Sequence, residues 1–185
     1  MRNKLISSQR TVWSEDMQSG FTLIELVMIL TLIAILAAVA IPRFSGYGAI
    51  KQGNAVVKMA SDIRYAQNRA TTTQQRSRMN FNSSTTYDIQ FCNGVYDTAT
   101  CTCPAWVLAT DPYTRGPFQI DLNNDYSGAS ISIPAAGSWL EFDSLGRPYV
   151  NPCSASSAGT TVTVAYSGEA NRNILIQTQT GMVSY

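Results

Sequence analysis

GFTLIELVMILTLIAILAAVAIP, Gly20 to Pro42, is the stretch from which the rest of the chain can be read. Between Phe21 and Ile41 every residue except Thr22, Glu25 and Thr31 is apolar, and Glu25 is the only charge. At a helical rise of about 1.5 Å per residue the run reaches roughly 30 Å, the thickness of a bilayer's hydrocarbon core. It therefore reads as a membrane-spanning helix. A carboxylate inside such a helix is costly, and by default it marks a function.

The residues ahead of this run are mostly polar and carry Arg2, Lys4 and Arg10. Positive charge on that side favours a cytoplasmic N-terminus and sends the rest of the chain to the periplasm or beyond. A secretory signal peptide would show a shorter apolar core followed by a small-residue cleavage site. Here the small residue, Gly20, precedes the helix. A start at Met17 would leave no basic residue before the helix, so Met1 is taken as the start.

Composition excludes several function classes. The 185 residues hold 13 basic and 12 acidic side chains, a balance that leaves no basic footprint for nucleic acid. No histidine is present, which removes the commonest general base and metal ligand. No nucleophile–base pair is recognisable either. The sequence thus reads as a non-enzyme with no cofactor and no metal.

Pro42 should kink or interrupt the helix, because it lacks an N–H and clashes with the preceding turn. Gly46, Gly48 and Gly53 follow, so residues 42–53 read as a flexible joint. Apolar residues then recur at spacings of three and four from Ala55 through Val56, Met59, Ile63, Ala66 and Ala70, which predicts an amphipathic helix ending near residues 72–75. From Ser77 the period shifts to two. Strands are expected at 78–81, 87–92, 118–121, 129–133, 139–142, 148–150, 160–166, 174–179 and 182–184, punctuated by turns such as Asn93-Gly94, Leu145-Gly146 and Thr180-Gly181. One long helix followed by a run of strands reads as α+β with an antiparallel sheet.

The Gly20–Pro42 stretch resembles the N-terminus of type IV prepilins and type II secretion pseudopilins. The resemblance implies that prepilin peptidase cuts between Gly20 and Phe21, that Phe21 becomes the N-methylated first residue, and that Glu25 pairs with the free amine of Phe21 in its own subunit or a neighbour. It also implies a type IV pilin-like fold, a long transmembrane-plus-amphipathic helix packed on an antiparallel β-sheet head. The expected organisation is a leader over 1–20, the transmembrane helix and flexible joint over 21–53, and a periplasmic or extracellular head over 54–185. SDIRYAQNRA (Ser61–Ala70), FDSLGRP (Phe142–Pro148) and the closing ILIQTQTGMVSY are similar to the minor-pilin group, which holds H-type pseudopilins, FimT-type pilins and minor pilins of the mannose-sensitive haemagglutinin pilus. Residues 93–137 carry no such motif.

The resemblance implies a structural subunit, not an enzyme. It would sit in the inner membrane as a single-pass protein before joining other pilins or pseudopilins in a hetero-oligomeric filament, at the tip or as an assembly primer. The alternative is a FimT-type DNA-uptake pilin. Such pilins rely on basic residues near the C-terminus, where Tyr166 to Tyr185 hold only Arg172 and Glu169. Residues 21–185 carry ten basic and ten acidic side chains, so no net field draws DNA.

Cys92, Cys101, Cys103 and Cys153 all lie beyond the apolar helix, and in an exported head an even count reads as two disulfides. Cys101 and Cys103 are too close in sequence to close on each other. The pairings are Cys92–Cys101 with Cys103–Cys153, or Cys92–Cys103 with Cys101–Cys153. A four-cysteine metal site lacks the usual spacings. Asp121, Asn123 and Asp125 resemble the start of a calcium loop, but Tyr126 and Ser132 stand where an EF-hand needs Gly and Glu, so a polar turn is expected. Trp106, Tyr113, Phe118, Tyr126 and Trp139 read as core and loop packing.

Overall fold

The structure, a computed structural model, describes residues 20–44, 47–100, 102–151, 154–155 and 159–185, with the backbone alone for 41–44, 151 and 154–155. The chain is α+β and divides into two compact units, one ending at Phe44 and the other beginning at Ser45.

The first unit is a single helix, α1, Leu23–Phe44. It does not stop at Pro42. The helix runs two residues further, since a proline here costs one hydrogen bond in the last turn.

The second unit is built on helix α2, Tyr47–Thr73. It begins eight residues ahead of the expected Ala55, so Gly48 and Gly53 are helical and part of the expected joint is not a loop. At Gly48 the reason is steric: a Cβ there would lie 2.8 Å from a ring carbon of Tyr166. The close approach offsets the helix penalty of glycine, about 1 kcal/mol. At the other end the Thr71, Thr72 and Thr73 hydroxyls donate to the carbonyls of Asn68 and Arg69, and Gln74 turns left-handed with φ 56° to end the helix.

Two antiparallel sheets receive α2. The larger has β1 (Ser77–Phe81), β2 (Thr86–Cys92), β3 (Trp106–Leu108), β4 (Gln119–Asp121), β6 (Trp139–Phe142), β7 (Pro148–Asn151) and β8 (Ser154–Ala155). Its order is β3-β2-β1-β6-β7-β8, with β4 also paired to β2. The smaller is β11-β10-β9-β5, from β5 (Ala129–Ile133), β9 (Thr160–Tyr166), β10 (Arg172–Ile176) and β11 (Val183–Ser184). Two of these strands, β3 and β8, had no periodic signal because they are two or three residues long. Between β4 and β5 a single turn of helix, α3 (Leu122–Asp125), is capped by Asp121. The core lies where α2 meets the sheets: Ala55, Met59, Ala60, Ile63, Ala66 and Ala70 pack on Met79, Phe81, Ile89, Leu140, Phe142, Val162 and Ile174, all buried. Of the five aromatics expected to pack, Phe118 is buried and Trp106, Tyr126 and Trp139 are half-buried. Tyr113 is 93% exposed, at the tip of a loop held by Asp111.

Three polar residues of α2 fix its position. Gln52 is buried and donates from one amide nitrogen to the carbonyls of Val164 and Ala170, at 3.0 and 2.8 Å. Asp62 accepts from Lys58 and from the buried Tyr87 hydroxyl, and burial pushes its carboxyl above the usual range despite both partners. Gln67 donates to the carbonyls of Gly146 and Thr180, at 3.0 and 2.8 Å. The three minor-pilin-like motifs meet here: Gln67 belongs to the first, Gly146 to the second, Thr180 to the third.

FDSLGRP is a turn organised by Asp143. One carboxylate oxygen accepts from the N–H groups of Leu145 and Arg147, the other from the Arg147 guanidinium and the Tyr149 hydroxyl. Burial alone would raise this carboxyl, but the Arg147 and Leu145 N–H groups and the Arg147 guanidinium outweigh it and hold it below its ordinary value.

Unfolding measurements check both contacts. At Gly181, with φ 63°, an added Cβ would collide with the Gln67 amide and the Gly146 carbonyl. Gly181→Ala should therefore destabilise the head by about 1–3 kcal/mol. The readout is the tryptophan-fluorescence unfolding midpoint of the detergent-solubilised protein, and an unchanged midpoint refutes the clamp. Asp143→Asn should cost about 1–3 kcal/mol near neutral pH. Because the folded carboxyl sits below the unfolded value of about 3.9, its contribution is present above that value and disappears as the pH falls through the lower folded one. The deficit of the variant should shrink as the pH falls below the unfolded value of about 3.9, and a pH-independent deficit contradicts the assignment.

Candidate processing and assembly site

The candidate site is the start of α1, and its geometry depends on Thr22, a residue the apolar pattern does not mark out. Thr22 stands at the N-cap. Its hydroxyl oxygen accepts from the Glu25 N–H at 3.3 Å, and its carbonyl accepts from the Leu26 N–H at 3.1 Å. Thr-x-x-Glu ahead of an apolar run is the capping-box pattern, so the signal was present in the sequence. Glu25 occupies the first turn, where the helix dipole favours a negative charge. The one acid of the apolar run thus stands at the helix end best suited to hold it.

Gly20 and Phe21 precede the cap in non-helical backbone. Nothing lies within 4 Å of a Cβ built at Gly20, and Phe21 is 71% exposed. The backbone at Gly20 and Phe21 is thus uncovered among the described residues. Beyond the cap, Leu23–Ala40 is long and apolar enough to cross a membrane, and none of it is buried. Thr31 satisfies its hydroxyl within the helix, on the Met28 carbonyl at 2.9 Å.

Other sequence-selected positions lie elsewhere. Cys92, at the end of β2, is bonded to Cys103, just ahead of β3. Closing a loop of this length contributes about 3 kcal/mol by restricting the unfolded chain. Cys101 and Cys153 lie outside the described residues. Asp121 takes the Asn123 N–H at 2.9 Å, so the Asp121–Asp125 segment is a polar turn, and among the described residues no group of three or more Asp, Glu or Cys is placed to hold a metal.

Comparison with known proteins bears on the same end of the chain. The family model described as the prokaryotic N-terminal methylation motif matches residues 16–41. The type IV major fimbrial protein FimA of Dichelobacter nodosus is 42% identical over 52 residues, 28% of this chain and 33% of FimA. The chain thus spans about a third of the length of the curated relative it matches. The minor pseudopilin EpsH from the Type 2 Secretion System of Vibrio cholerae has 10% identity and a TM-score of 0.49, over 72% of this chain and 94% of EpsH. The type IV minor pilin FimU of Pseudomonas aeruginosa has 14% identity and a TM-score of 0.47, over 74% of this chain and 88% of FimU. What these comparisons establish for this chain is the prokaryotic N-terminal methylation motif over residues 16–41.

Proposed function

We propose that the protein is a minor pilin or pseudopilin, a structural subunit and not an enzyme. Prepilin peptidase cuts between Gly20 and Phe21, Phe21 is N-methylated, and the mature chain joins other pilins or pseudopilins at the tip of a filament or as its primer. Before assembly α1 anchors the subunit in the inner membrane, with residues 1–20 cytoplasmic and the head in the periplasm. Once Cys92 is joined to Cys103, the remaining pair, Cys101 with Cys153, forms the second disulfide of the exported head.

The observation that carries this reading is the first turn of α1. An exposed Gly20–Phe21 bond lies directly ahead of a capped helix whose apolar run, up to Ile41, has Glu25 as its one charge. Cleavage there creates an α-amine four residues from that carboxylate. In a low-dielectric environment an unpaired charge costs several kcal/mol, so amine and carboxylate within or between subunits are driven to pair. The pair specifies register, because a misplaced subunit leaves both charges alone.

Glu25→Gln should insert and lose its leader normally, yet reach filament fractions at a small fraction of the wild-type level. Immunoblotting of envelope and sheared filament fractions measures both steps. Wild-type incorporation of the variant would refute the register role. Gly20→Val should leave the full-length chain uncut in the membrane, and a normal mature N-terminus by sequencing would refute the cleavage position.

A further inference from the structure

Between β3 and β4 lies a loop, DPYTRG at residues 111–116, in the stretch of chain that shares no motif with the minor-pilin group. It is closed on itself at several points. The Asp111 N–H donates to the Gly116 carbonyl at 2.9 Å, and the Arg115 N–H to the Asp111 carbonyl at 2.8 Å. The Asp111 carboxylate accepts from the Tyr113 N–H and the Thr114 hydroxyl, at 2.8 and 2.9 Å, so its charge is used inside the loop. The stem is fixed to α2 and the core. Thr110 pairs with Pro117 across the base, and the Tyr65 hydroxyl donates to the Thr110 carbonyl at 3.1 Å. Phe118 is buried, with the Tyr65 ring and the Lys58 ammonium each 5.1 Å from its centre.

This frame displays two side chains that the head does not use. Tyr113 is 93% exposed, and the Arg115 guanidinium is in no ion pair among the described residues. Arg115 also takes φ 58°, a left-handed backbone that strains a residue with a side chain, although Gly116 stands next to it. An aromatic ring left in water on a slack loop would need no explanation. A ring and a guanidinium held out on a loop already ordered are what a binding anchor requires, because little freedom is lost on contact. Tyr and Arg are also among the side chains that dominate binding hot spots.

We infer that the loop at residues 111–116 is a docking finger for a different protein, with Tyr113 seated in an apolar-walled socket and Arg115 paired with a carboxylate on its rim. The carboxylate follows from charge, since Arg115 is unpaired and the loop's own acid is already engaged. A second copy of this chain offers no such seat. Among the described residues, the head's clefts along α2, beside β4 and at the β6–β7 turn are lined mostly by polar and charged side chains. A single guanidinium beside a single ring makes no basic track, which a polyanion would need. The inference stands apart from the processing and filament reading, because it concerns a surface of the head alone.

The test uses the full-length chain in its native host. The photoreactive substitution Tyr113→para-benzoylphenylalanine, irradiated in intact cells, should give an adduct with one protein other than this chain, and peptide mapping then locates the socket. That protein is purified and its affinity for the detergent-solubilised chain measured. Tyr113→Ala should weaken binding by about tenfold or more, and so should Arg115→Glu. Both variants should keep the wild-type tryptophan-fluorescence unfolding midpoint. Changing the mapped rim carboxylate of the partner to Lys should restore the binding of Arg115→Glu, which a misfolded chain would not do. No adduct from position 113, an adduct only with a second copy, undiminished affinity in either variant, or failure of the charge exchange each overturns the inference.

Discussion

Helix α2 has two sheets to satisfy at once, packing on β1, β2 and β6 of one and β5, β9, β10 and β11 of the other. Four alanines, Ala55, Ala60, Ala66 and Ala70, let its backbone come close, and Met59 and Ile63 fill the space between. Close packing brings turn carbonyls from both sheets up to a helix whose own N–H groups are already used. Carbonyls drawn against the helix away from water need donors. Side-chain amides supply them, since each NH2 group has two hydrogens for two carbonyls: Gln52 serves the β9–β10 region, and Gln67 ties the β6–β7 turn to the β10–β11 turn. An isosteric Glu at either place would set a charge against two carbonyl oxygens. The two sheets are thus fixed relative to one another by what α2 donates as well as by what it buries.

The other helix obeys the opposite rule. Apart from Glu25 and Thr31, the Leu23–Ala40 window of α1 is apolar on every side, and it buries none of itself. A soluble helix of such composition would be enclosed by its own protein. Here the enclosing medium has to come from outside the chain, as lipid or as other helices. Under that demand a charge is tolerable only where backbone groups already call for one. Thr22 and the first-turn N–H groups create such a place, and Glu25 occupies it. The carboxylate is thus part of how the helix starts, before any partner is present.

Much of this was legible in the sequence because it rests on local patterns. The apolar run, the three-and-four spacing from Val56 to Ala70 and the alternation in Thr160–Tyr166 each arise from which side of an element faces apolar surroundings. The beginning of α2 was not legible. Gly48 reads as a helix breaker until Tyr166, more than a hundred residues later, takes the space a side chain would fill. The same holds for Gln52, Gln67 and Asp143, whose roles depend on carbonyls and N–H groups delivered by turns. Strands β3 and β8 were not read from the sequence, and Pro42, expected to kink or interrupt the helix, lies two residues before the end of α1. Thr22 differs from these: its pattern with Glu25 is local and visible in the sequence, but a lone carboxylate in an apolar run overshadows the cap beside it.

Ten charged side chains of each sign leave residues 21–185 neutral. Three ion pairs, Lys58–Asp62, Arg76–Glu141 and Arg147–Asp143, each spend one base and one largely buried acid inside the head. The three pairs leave seven bases and seven acids in residues 21–185, among them Arg64 and Arg69 on the exposed side of α2 and Asp121 and Asp125 at the junction of β4 and α3. A neutral molecule with separated surface charges exerts little pull beyond the screening length of about 8 Å at physiological salt. It cannot be steered from a distance, and it discriminates only after surfaces touch.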